Sequence, residues 1–290
     1  METLKESTEV EKSLKTDKEK YPPFSVLIAL YEKEKPHLLN KALHSVFNQT
    51  VVLDEVVLVL DGKLTDELLQ IVEHYKSTYN TLKIVQLPEK KGLGIALSEG
   101  LQHCSYELVA RMDTDDVSMP NRFEKLLQVF IDKPEISVVS SWITEVNQKG
   151  NVIGIKTVPE THQEIQKLMS IRQSVNHPAS MFKKSAVLAA GNYRHFHRFE
   201  DYELWFRMLD KGFLFYNIQE SLYEFYCDNA AISRRGGLEY AKSEIRLMKY
   251  LRKKHFISWY QYVLNLVLRI PVRFLPTSIR SLIYKLLLRS

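Results

Sequence analysis

Short apolar runs alternate with amphipathic stretches from Phe24 to Asp132, and this alternation constrains the fold more than any other feature of the sequence. Four of the apolar runs predict buried strands: FSVLIAL, EVVLVLDG, LKIVQL and YELVARMD. Four amphipathic stretches predict helices: PHLLNKALHSVFNQ, TDELLQIVEHYKSTY, GIALSEGLQHC and NRFEKLLQVFID. Because strands joined by helices lie parallel and are buried on both faces, the sequence predicts an α/β fold with a mostly parallel, Rossmann-like sheet flanked by helices.

Beyond residue 135 the pattern becomes mixed. It predicts a hairpin around Asn147–Asn151, a helix over 199–212, and two separate strands, FLFYNI and SLYEFYC. From Leu238 onward the chain has helical periodicity throughout. Since no internal repeat and no Gly/Ser-rich linker divides it, we expect a disordered lead-in over 1–21, one continuous α/β domain over 22–240 and a helical tail over 241–290.

Composition narrows the class of protein. The 290 residues are 45% hydrophobic and 26% charged, which is ordinary for a globular chain and excludes collagen-like and wholly disordered proteins. The two cysteines, Cys104 and Cys227, are too few for a disulfide framework, so we expect a reducing compartment. The N-terminal stretch METLKESTEVEKSLKTDKEK contains no apolar core, which predicts that there is no signal peptide and that the protein is cytoplasmic.

The net charge of +5 is the sum of two unequal parts. The segment from Arg246 to Ser290 contains ten Lys and Arg residues and no Asp or Glu, whereas residues 1–245 contain 30 basic and 35 acidic side chains. A body of charge −5 is thus joined to a tail of charge +10. Such asymmetry indicates an anionic binding surface, either a nucleic acid or a membrane.

The densest polar cluster is Asp113-Thr114-Asp115-Asp116, which follows the predicted strand YELVARM and precedes a helix. In open α/β sheets, ligands bind at the carboxyl ends of strands. Three neighbouring carboxylates repel one another unless a cation lies among them, and oxygen ligands suit Mg²⁺ or Mn²⁺, which also hold substrate phosphates. The alternative is that Asp116 or Ser118 caps the following helix, although a cap does not need three carboxylates.

Two further groups of charged residues each allow two interpretations. Glu200 and Asp201 begin a predicted helix, where acidic residues either complement the helix dipole or supply a general base for a hydroxyl proton. Arg234 and Arg235 precede Gly236-Gly237, which suits either a loop that closes over phosphates or a solvated turn.

Two other motifs carry less information. His177, within Asn176-His177-Pro178, is interpreted either as an acceptor contact or as a structural hydrogen-bonding residue. The glycines of Lys91-Gly92-Leu93-Gly94 do not form a dinucleotide fingerprint, because the third glycine follows only at Gly100. No Walker sequence is present either, and NAD enzymes and kinases are therefore disfavoured.

The motifs occur in a definite order: SVLIALYEKEK, ALHSVFNQT, EVVLVLDG, KKGLGIALSEGL, ARMDTDD, NHPASMF and EDYELWFRML. With this order over residues 22–240, the sequence resembles the family 2 inverting glycosyltransferases of the GT-A fold. It is most similar to the type that builds bacterial exopolysaccharide, capsule and O-antigen repeat units, as in amylovoran biosynthesis. The resemblance implies metal-dependent transfer of a sugar from a nucleotide diphosphate donor to a lipid-linked saccharide.

The resemblance also implies roles for individual residues. Asp201 would be the base that deprotonates the acceptor hydroxyl, and Glu200 would position the acceptor. Asp115 would hold Mn²⁺ or Mg²⁺, with Asp116 as the alternative ligand, and Arg234 with Arg235 would clamp the diphosphate. The residues implied in binding the donor nucleotide are Tyr31, Glu32, Asp61, Lys91, Arg111 and Asp113, of which Asp61 would contact the base and Asp113 would lie near the ribose.

The sequence departs from the family pattern in several places. Leu30-Tyr31-Glu32 stands where Pro and Asn are frequent, Leu60-Asp61 stands where two Asp are frequent, and no His precedes the Arg pair. Two other functions fit an α/β sheet with acidic residues. One is a sugar-1-phosphate nucleotidyltransferase, although YEKEKPH lacks the usual Gly-rich loop. The other is an inactive scaffold of a polysaccharide assembly complex, against which the intact Asp115 and Asp201 argue.

The tail combines Leu, Ile, Val and aromatic residues with Lys and Arg. Its longest nearly apolar stretch, Phe256–Leu268, is about 13 residues, shorter than the ~20 that a membrane-spanning helix needs. Trp259, Tyr260 and Tyr262 suit the headgroup level. We therefore expect an interfacial helix pair on the anionic inner face of the plasma membrane, rather than a tail that binds nucleic acid. Packing on the catalytic domain, or on a second copy in a homodimer, is the alternative.

Overall fold

The predicted alternation of strands and helices is present in the computed structural model, which describes residues 20–147, 149–227, 235–280 and 283. The predicted lead-in, apart from its last two residues, and Arg234 lie outside the described residues. The first half contains β1 (Phe24–Leu30), α1 (Pro36–Phe47), β2 (Glu55–Leu60), α2 (Asp66–Thr78), β3 (Leu82–Gln86), α3 (Leu93–His103), β4 (Leu108–Met112), β5 (Val117–Ser118) and α4 (Arg122–Asp132). The second half contains β6 (Ile136–Val146), β7 (Val152–Lys156), α5 (His162–Met169), a 3₁₀ turn (His177–Ala179), β8 (Met181–Lys183), α6 (Lys184–Ala189), α7 (Glu200–Asp210), β9 (Leu214–Tyr226), α8 (Gly237–Lys253) and α9 (Trp259–Phe274).

The described strands form one sheet in the order β3-β2-β1-β4-β8-β6-β9-β5, with β7 paired to β6. Strands β1 to β4 are parallel, with Val26 of β1 opposite Val56 of β2 and Ala110 of β4. Beyond them, β8 is antiparallel to both β4 and β6, and β9 is parallel to β6. The predicted parallel sheet is therefore found in the first half, and the mixed sequence pattern corresponds to the mixed half. The predicted hairpin is β6 with β7.

Burial on both faces explains the apolar strand sequences. Every residue of β2 is buried. Val56 and Leu58 join the apolar cluster beneath α1, α2 and α4, whereas Val57 and Val59 join the cluster beneath α3, α7 and α8. The sheet is thus enclosed between two helical layers, and its strand ends are left as the place for a ligand.

Helix α3 lies unusually close to both of its neighbours. A Cβ atom on Gly100 would come within 2.5 Å of Leu27 and 2.4 Å of Val59 in the sheet. On Gly94, near the start of the same helix, a Cβ would lie 2.4 Å from the carbonyl oxygen of Arg194 and 3.2 Å from Cβ of Glu200. Since real Cβ contacts are longer than this, both positions require glycine as the chain is packed.

One local prediction is wrong, and one alternative interpretation is excluded. The runs FLFYNI and SLYEFYC form a single strand, β9, whose pairing with β6 shifts register near Trp142. Gln219 and Glu220 face solvent at this irregularity. Because polar residues at this position are typical of a turn, the sequence of one continuous strand resembles two strands joined by a turn. Neither Asp116 nor Ser118 caps α4, because the Asp116 carboxylate instead accepts the backbone N–H of Tyr226 (2.8 Å).

The predicted tail begins with a helix that packs on the domain. Leu247, Met248 and Leu251 of α8 are buried in the cluster beneath α7. Glu244, on the same face, is also buried and accepts hydrogen bonds from Arg273 Nε and Arg269 Nη2 of α9, both at 2.6 Å. Both arginines of α9 are therefore bound within the fold.

The outward face of α9 is apolar. Its exposed large side chains are Trp259, Tyr260, Val263, Val267, Leu268 and Phe274. The two aromatic residues at its start are the most exposed, Trp259 at 63% and Tyr260 at 73%. Within the part of the chain that the structure describes, no helix has both the length and the apolar character needed to cross a membrane.

Candidate active site

A cavity of about 500 Å³ lies at the carboxyl ends of the parallel strands. Tyr31, Asp61 and Asp113 each directly follow a strand, namely β1, β2 and β4, and all three line this cavity. Glu200, at the start of α7, lines the opposite side. Three of the six predicted donor-binding residues are thus brought together in this cavity, because parallel strands end at one edge of the sheet. We call this space the donor cavity.

Three aspartates after β4 form an acidic cluster. One carboxylate oxygen each of Asp113, Asp115 and Asp116 lies within 4.8 Å of the other two. Asp116 is buried, and among the described residues its Oδ2 has no hydrogen-bond partner. Burial, followed by the charges of Asp115 and Asp113, raises the pKa of Asp116 well above its usual range. Three carboxylates with one orphaned buried oxygen fit a divalent cation, which would relieve their repulsion.

A buried arginine forms an ion pair with Asp113. Arg111 is fully buried and forms an ion pair with Asp113, while its backbone carbonyl accepts from Arg122. Arg122 is itself buried and lies over the ring of Tyr223, 4.9 Å from its centroid. Burial lowers the pKa of Arg122 to about 10. Arg111 does not line the donor cavity, and the structure therefore gives it the position of a support for Asp113 rather than of a direct donor contact.

Asp61 fixes the loop that precedes α3. Its two carboxylate oxygens accept the backbone N–H groups of Lys91 (2.7 Å) and Gly92 (2.9 Å). The side chains of Lys91 and Glu32 do not line the donor cavity. Lys90 does, and its ammonium group forms an ion pair with Glu32 (3.2 Å) and lies 5.1 Å from the ring centroid of Tyr31. Lys90 is thus a cation of the donor cavity that the sequence did not indicate, since the prediction named its neighbour Lys91.

The carboxylate pair at the start of α7 divides between two cavities. Glu200 lines the donor cavity, whereas Asp201 lines a second, smaller cavity of about 150 Å³. Gln173 Nε2 and the N–H of Tyr202 donate to Asp201. Burial, followed by the charge of Asp201, raises the pKa of Glu200 to about 7, and burial also raises the pKa of Asp201. A buried carboxyl pair in which the pKa of Glu200 is about 7 and the pKa of Asp201 is raised suits proton transfer.

Two other predicted residues line the second cavity. His177 is buried, and its Nε2 lies 2.9 Å from the hydroxyl of Tyr193. Burial, followed by the charge of Arg111, lowers the pKa of His177 well below its usual range, which favours a neutral structural residue. Arg235 packs over Phe225, 5.8 Å from the ring centroid, and does not line the donor cavity. Its predicted partner Arg234 lies outside the described residues.

The sequence profile of Glycosyl transferase family 2 matches residues 25–188, from β1 into α6. The chain belongs to this family. A further match is the UDP-Gal:alpha-D-GlcNAc-diphosphoundecaprenol beta-1,3-galactosyltransferase of Escherichia coli, 38% identical over 92% of this chain and 97% of the relative. The amylovoran biosynthesis glycosyltransferase AmsE of Erwinia amylovora is 34% identical over 90% of this chain and 98% of its own length. The predicted family and the glycosyltransferase activity are confirmed.

Solved structures of glycosyltransferases share the fold. The mannosyltransferase PcManGT of Pyrobaculum calidifontis, solved with GDP-Man and Mn²⁺, superposes on this family 2 chain with a TM-score of 0.59. It is 16% identical, over 92% of this chain and 75% of its own length. S. aureus TarS gives a TM-score of 0.57 at 20% identity, over 82% of this chain and 44% of its own length. The predicted GT-A fold is confirmed.

Three lining residues of the second cavity were missed in the sequence of this glycosyltransferase: Glu145, Lys156 and Gln173. Glu145 and Lys156 lie on β6 and β7, where alternating polar residues look like an ordinary solvent-facing hairpin. Gln173 follows α5 in an irregular segment without a recognisable motif. A charged residue within an otherwise buried strand, as at Glu145 in β6, is the signal that could have indicated this cavity.

Proposed function

We propose that this glycosyltransferase transfers a sugar, with inversion, from a nucleotide diphosphate donor to a hydroxyl of a lipid-linked saccharide during synthesis of a bacterial surface polysaccharide. The observation that carries the proposal is the arrangement of acidic side chains around two adjoining cavities: Asp113, Asp115 and Glu200 line the donor cavity, and Asp201 lines the second cavity beside it. The name of the E. coli relative, which gives UDP-Gal as donor and a diphosphoundecaprenol-linked GlcNAc as acceptor, supports this class of substrates.

In this proposal the donor occupies the donor cavity. Asp115 and Asp116 hold Mn²⁺ or Mg²⁺, Asp113 lies near the ribose, and Asp61 contacts the base. A bound cation supplies charge stabilisation for the leaving diphosphate. Arg234 is retained as a proposed contact of that diphosphate.

Asp201 is the proposed base. The hydrogen bonds from Gln173 and Tyr202 stabilise its carboxylate form and oppose the effect of burial, which raises the pKa of Asp201. Asp201 takes the proton of the acceptor hydroxyl while the hydroxyl oxygen bonds to the anomeric carbon and the bond from that carbon to the diphosphate breaks. One such displacement inverts the anomeric configuration. Glu200 faces the donor cavity and positions the acceptor beside the donor sugar.

The donor is proposed to be a UDP-sugar. Thermal melting with UDP-, GDP- and dTDP-sugars, each with Mn²⁺ and with Mg²⁺, tests this assignment on the whole chain. We expect the largest shift with a UDP-sugar in the presence of metal. A larger shift with a GDP- or dTDP-sugar would overturn the nucleotide assignment and leave the transferase proposal standing.

Two substitutions test the site. Asp115→Ala is expected to abolish metal-dependent donor binding, because it removes a cation ligand from the cluster. Asp201→Asn is expected to keep donor binding and to lower kcat by about 10²–10⁴-fold. Asp210→Asn, an exposed change at the other end of α7, is the matched control and should behave as wild type. Full transfer activity in both site variants would refute the assignment.

We also propose that the enzyme is cytoplasmic and binds peripherally to the inner face of the plasma membrane through α9. The exposed face of this helix is apolar and begins with Trp259 and Tyr260. The exposed Lys253 and Lys254 stand at the end of α8, separated by four residues from the start of that helix, and suit anionic lipid headgroups. Arg269 and Arg273 are engaged with Glu244, so attraction to lipid depends on apolar insertion more than the sequence suggested.

The membrane proposal is tested by flotation with vesicles that contain anionic phospholipid. The double variant Val263→Glu/Val267→Glu is expected to lose most of its vesicle binding, because it places two charges on the exposed face of α9. Leu188→Glu, at another exposed apolar side chain, is the control. If α9 is instead covered by a second copy of the chain, the wild type will be a dimer without lipid and the double variant a monomer.

A further inference from the structure

The second cavity contains charged groups that the donor chemistry does not use. It lies beside the donor cavity, since Phe225 lines both, and it is the cavity that Asp201 faces. Besides Asp201, the charged side chains in its wall are Glu145, Lys156 and Arg235. Its volume of about 150 Å³ is well above the ~10–15 Å³ that one water molecule requires, so a small polar group of a ligand can enter.

Lys156 is a cation in an unfavourable place. It ends β7, opposite Ile143 of β6, and is only partly exposed. Burial, followed by the nearby charge of Arg235, lowers the pKa of Lys156 to about 8. Because Arg235 disfavours the charged form of Lys156, an anionic ligand bound beside both cations would favour that charged form.

Asn176 adds an unused acceptor atom to the same wall. The residue is buried, and its Nδ2 donates to the carbonyl oxygen of Ser141 (2.8 Å), which fixes the orientation of the amide. Among the described residues, Asn176 Oδ1 has no hydrogen-bond partner. Buried acceptors are normally satisfied, and a hydroxyl of a bound sugar would satisfy this one.

Helix α9 contacts the chain segments on both sides of this cavity. Asn265 donates to the carbonyl oxygen of Ser170 (2.9 Å), three residues before Gln173, which lines the cavity. Arg273 Nη1 lies 3.4 Å from the carbonyl oxygen of Arg235. The helix that carries the exposed apolar face is therefore also the helix that supports the cavity beside Asp201.

We propose that the second cavity is the acceptor subsite, in which Lys156 and Arg235 bind the phosphate attached to the first sugar of the acceptor while Asn176 accepts a hydrogen bond from that sugar. This inference rests on the proposed function and names the part of the acceptor that is recognised. It moves Arg235 from the donor diphosphate, where the sequence placed it, to the acceptor side.

The test compares two acceptors that differ only in the phosphates: GlcNAc-α-diphosphate with a medium-length alkyl chain, and the alkyl α-glycoside of GlcNAc. With UDP-Gal as donor, Lys156→Gln is expected to lower kcat/KM for the diphosphate acceptor by about 10- to 100-fold, the loss of one charge-assisted contact. Its kcat/KM for the glycoside and its KM for UDP-Gal should stay within about twofold. Lys156→Arg should recover most of the activity, and Lys149→Gln, exposed in the same hairpin, is the matched control.

Several outcomes overturn the inference. It fails if the wild type uses both acceptors equally well, if Lys156→Gln lowers both equally, or if the variant raises KM for UDP-Gal alone. If the wild type transfers to neither acceptor, the proposed acceptor class is wrong, and equilibrium dialysis of the diphosphate compound then tests the subsite by itself. Weaker binding to Lys156→Gln than to wild type upholds the subsite, and equal binding refutes it.

Discussion

The donor cavity and the second cavity meet at the first turn of α7, and they differ in charge and in the elements that form them. The donor cavity is lined by the aspartates that follow β2 and β4 and also by the cations Lys33, Lys35, Lys90 and Arg198, and most of its wall lies within residues 25–188, the range shared with the family. The second cavity opposes Glu145 and Asp201 with Lys156 and Arg235, and α9 supports it. Most of the wall of the second cavity also lies within residues 25–188, so the comparison teaches that the second cavity is distinguished by the contacts of α9 with its lining segments and not by its position outside the family range.

Removal of divalent cations should weaken ligand binding more than any other change, and only at the donor cavity. EDTA is expected to weaken binding of UDP by about 10³-fold, because the three aspartates then repel the diphosphate. Binding of the GlcNAc-diphosphate compound in the absence of UDP should be unchanged. Isothermal titration of each ligand, with and without Mn²⁺, measures the contrast. Equal losses on both sides would mean that the two cavities do not act independently.

Glu244→Gln should affect the acceptor side without touching either cavity wall. The substitution leaves Arg269 and Arg273 without a buried anionic partner, and we expect the free energy of unfolding to fall by about 3–5 kcal/mol. Because Arg273 also contacts the Arg235 backbone, KM for the acceptor should rise while the affinity for UDP is kept. Chemical denaturation and steady-state kinetics check this. Glu239→Gln, exposed on the same helix, is the control, and a loss confined to UDP affinity would contradict the comparison.

Gln173→Met should move the pH profile. Its side-chain amide donates to Asp201, and without that bond the pKa of Asp201 should rise further above its usual range. Since the base must be ionised, the acid limb of kcat should shift to higher pH by about one unit. The rate on that limb would fall about tenfold and be recovered at higher pH. Gln128→Met, which removes an exposed amide contact to Asp132, is the control. An unmoved acid limb would show that Asp201 is not the titrating base.

Glu200→Gln should change how the free energy of unfolding depends on pH. The pKa of Glu200 is raised to about 7, above that of an unfolded chain, so the folded state binds the extra proton below that pH. The resulting stabilisation is fully present below about pH 4.5 and is lost as the pH rises to 7. Between these pH values the free energy of unfolding of wild type should decline relative to Glu200→Gln by about 3 kcal/mol, since one pKa unit corresponds to ~1.4 kcal/mol. Denaturant titrations at several pH values measure the difference, and parallel pH dependences would contradict the raised pKa.

Several residues of the donor cavity could be predicted from the sequence because they directly follow strands. Asp61 and Asp113 come immediately after β2 and β4, and parallel strands bring their carboxyl ends to one edge. The acidic cluster was predicted for the same reason. What could not be predicted was which neighbouring residue points inward: Lys90 rather than Lys91 lines the cavity, because the backbone of Lys91 is bound by Asp61.

The second cavity could not be predicted in the same way, because its charged residues come from elements that are distant in sequence. Lys156 and Asp201 meet only through the packing of a hairpin against α7, which no local pattern specifies. The tail shows a similar limit. Its basic charge suggested contact with anionic lipid, yet Arg269 and Arg273 are bound to Glu244. The position of Glu244 on the same helical face as Leu247, Met248 and Leu251 was the available sign that this acid is buried.

The two glycines of α3 have a consequence for how the enzyme tolerates change. Gly100 sets how near the helix lies to the sheet, and Gly94 sets how near it lies to Glu200. The helix thus sets the distance between the sheet and the first turn of α7, which contains the two carboxylates. A single methyl group at either position would alter the alignment of the reacting atoms, although neither glycine carries any chemistry of its own.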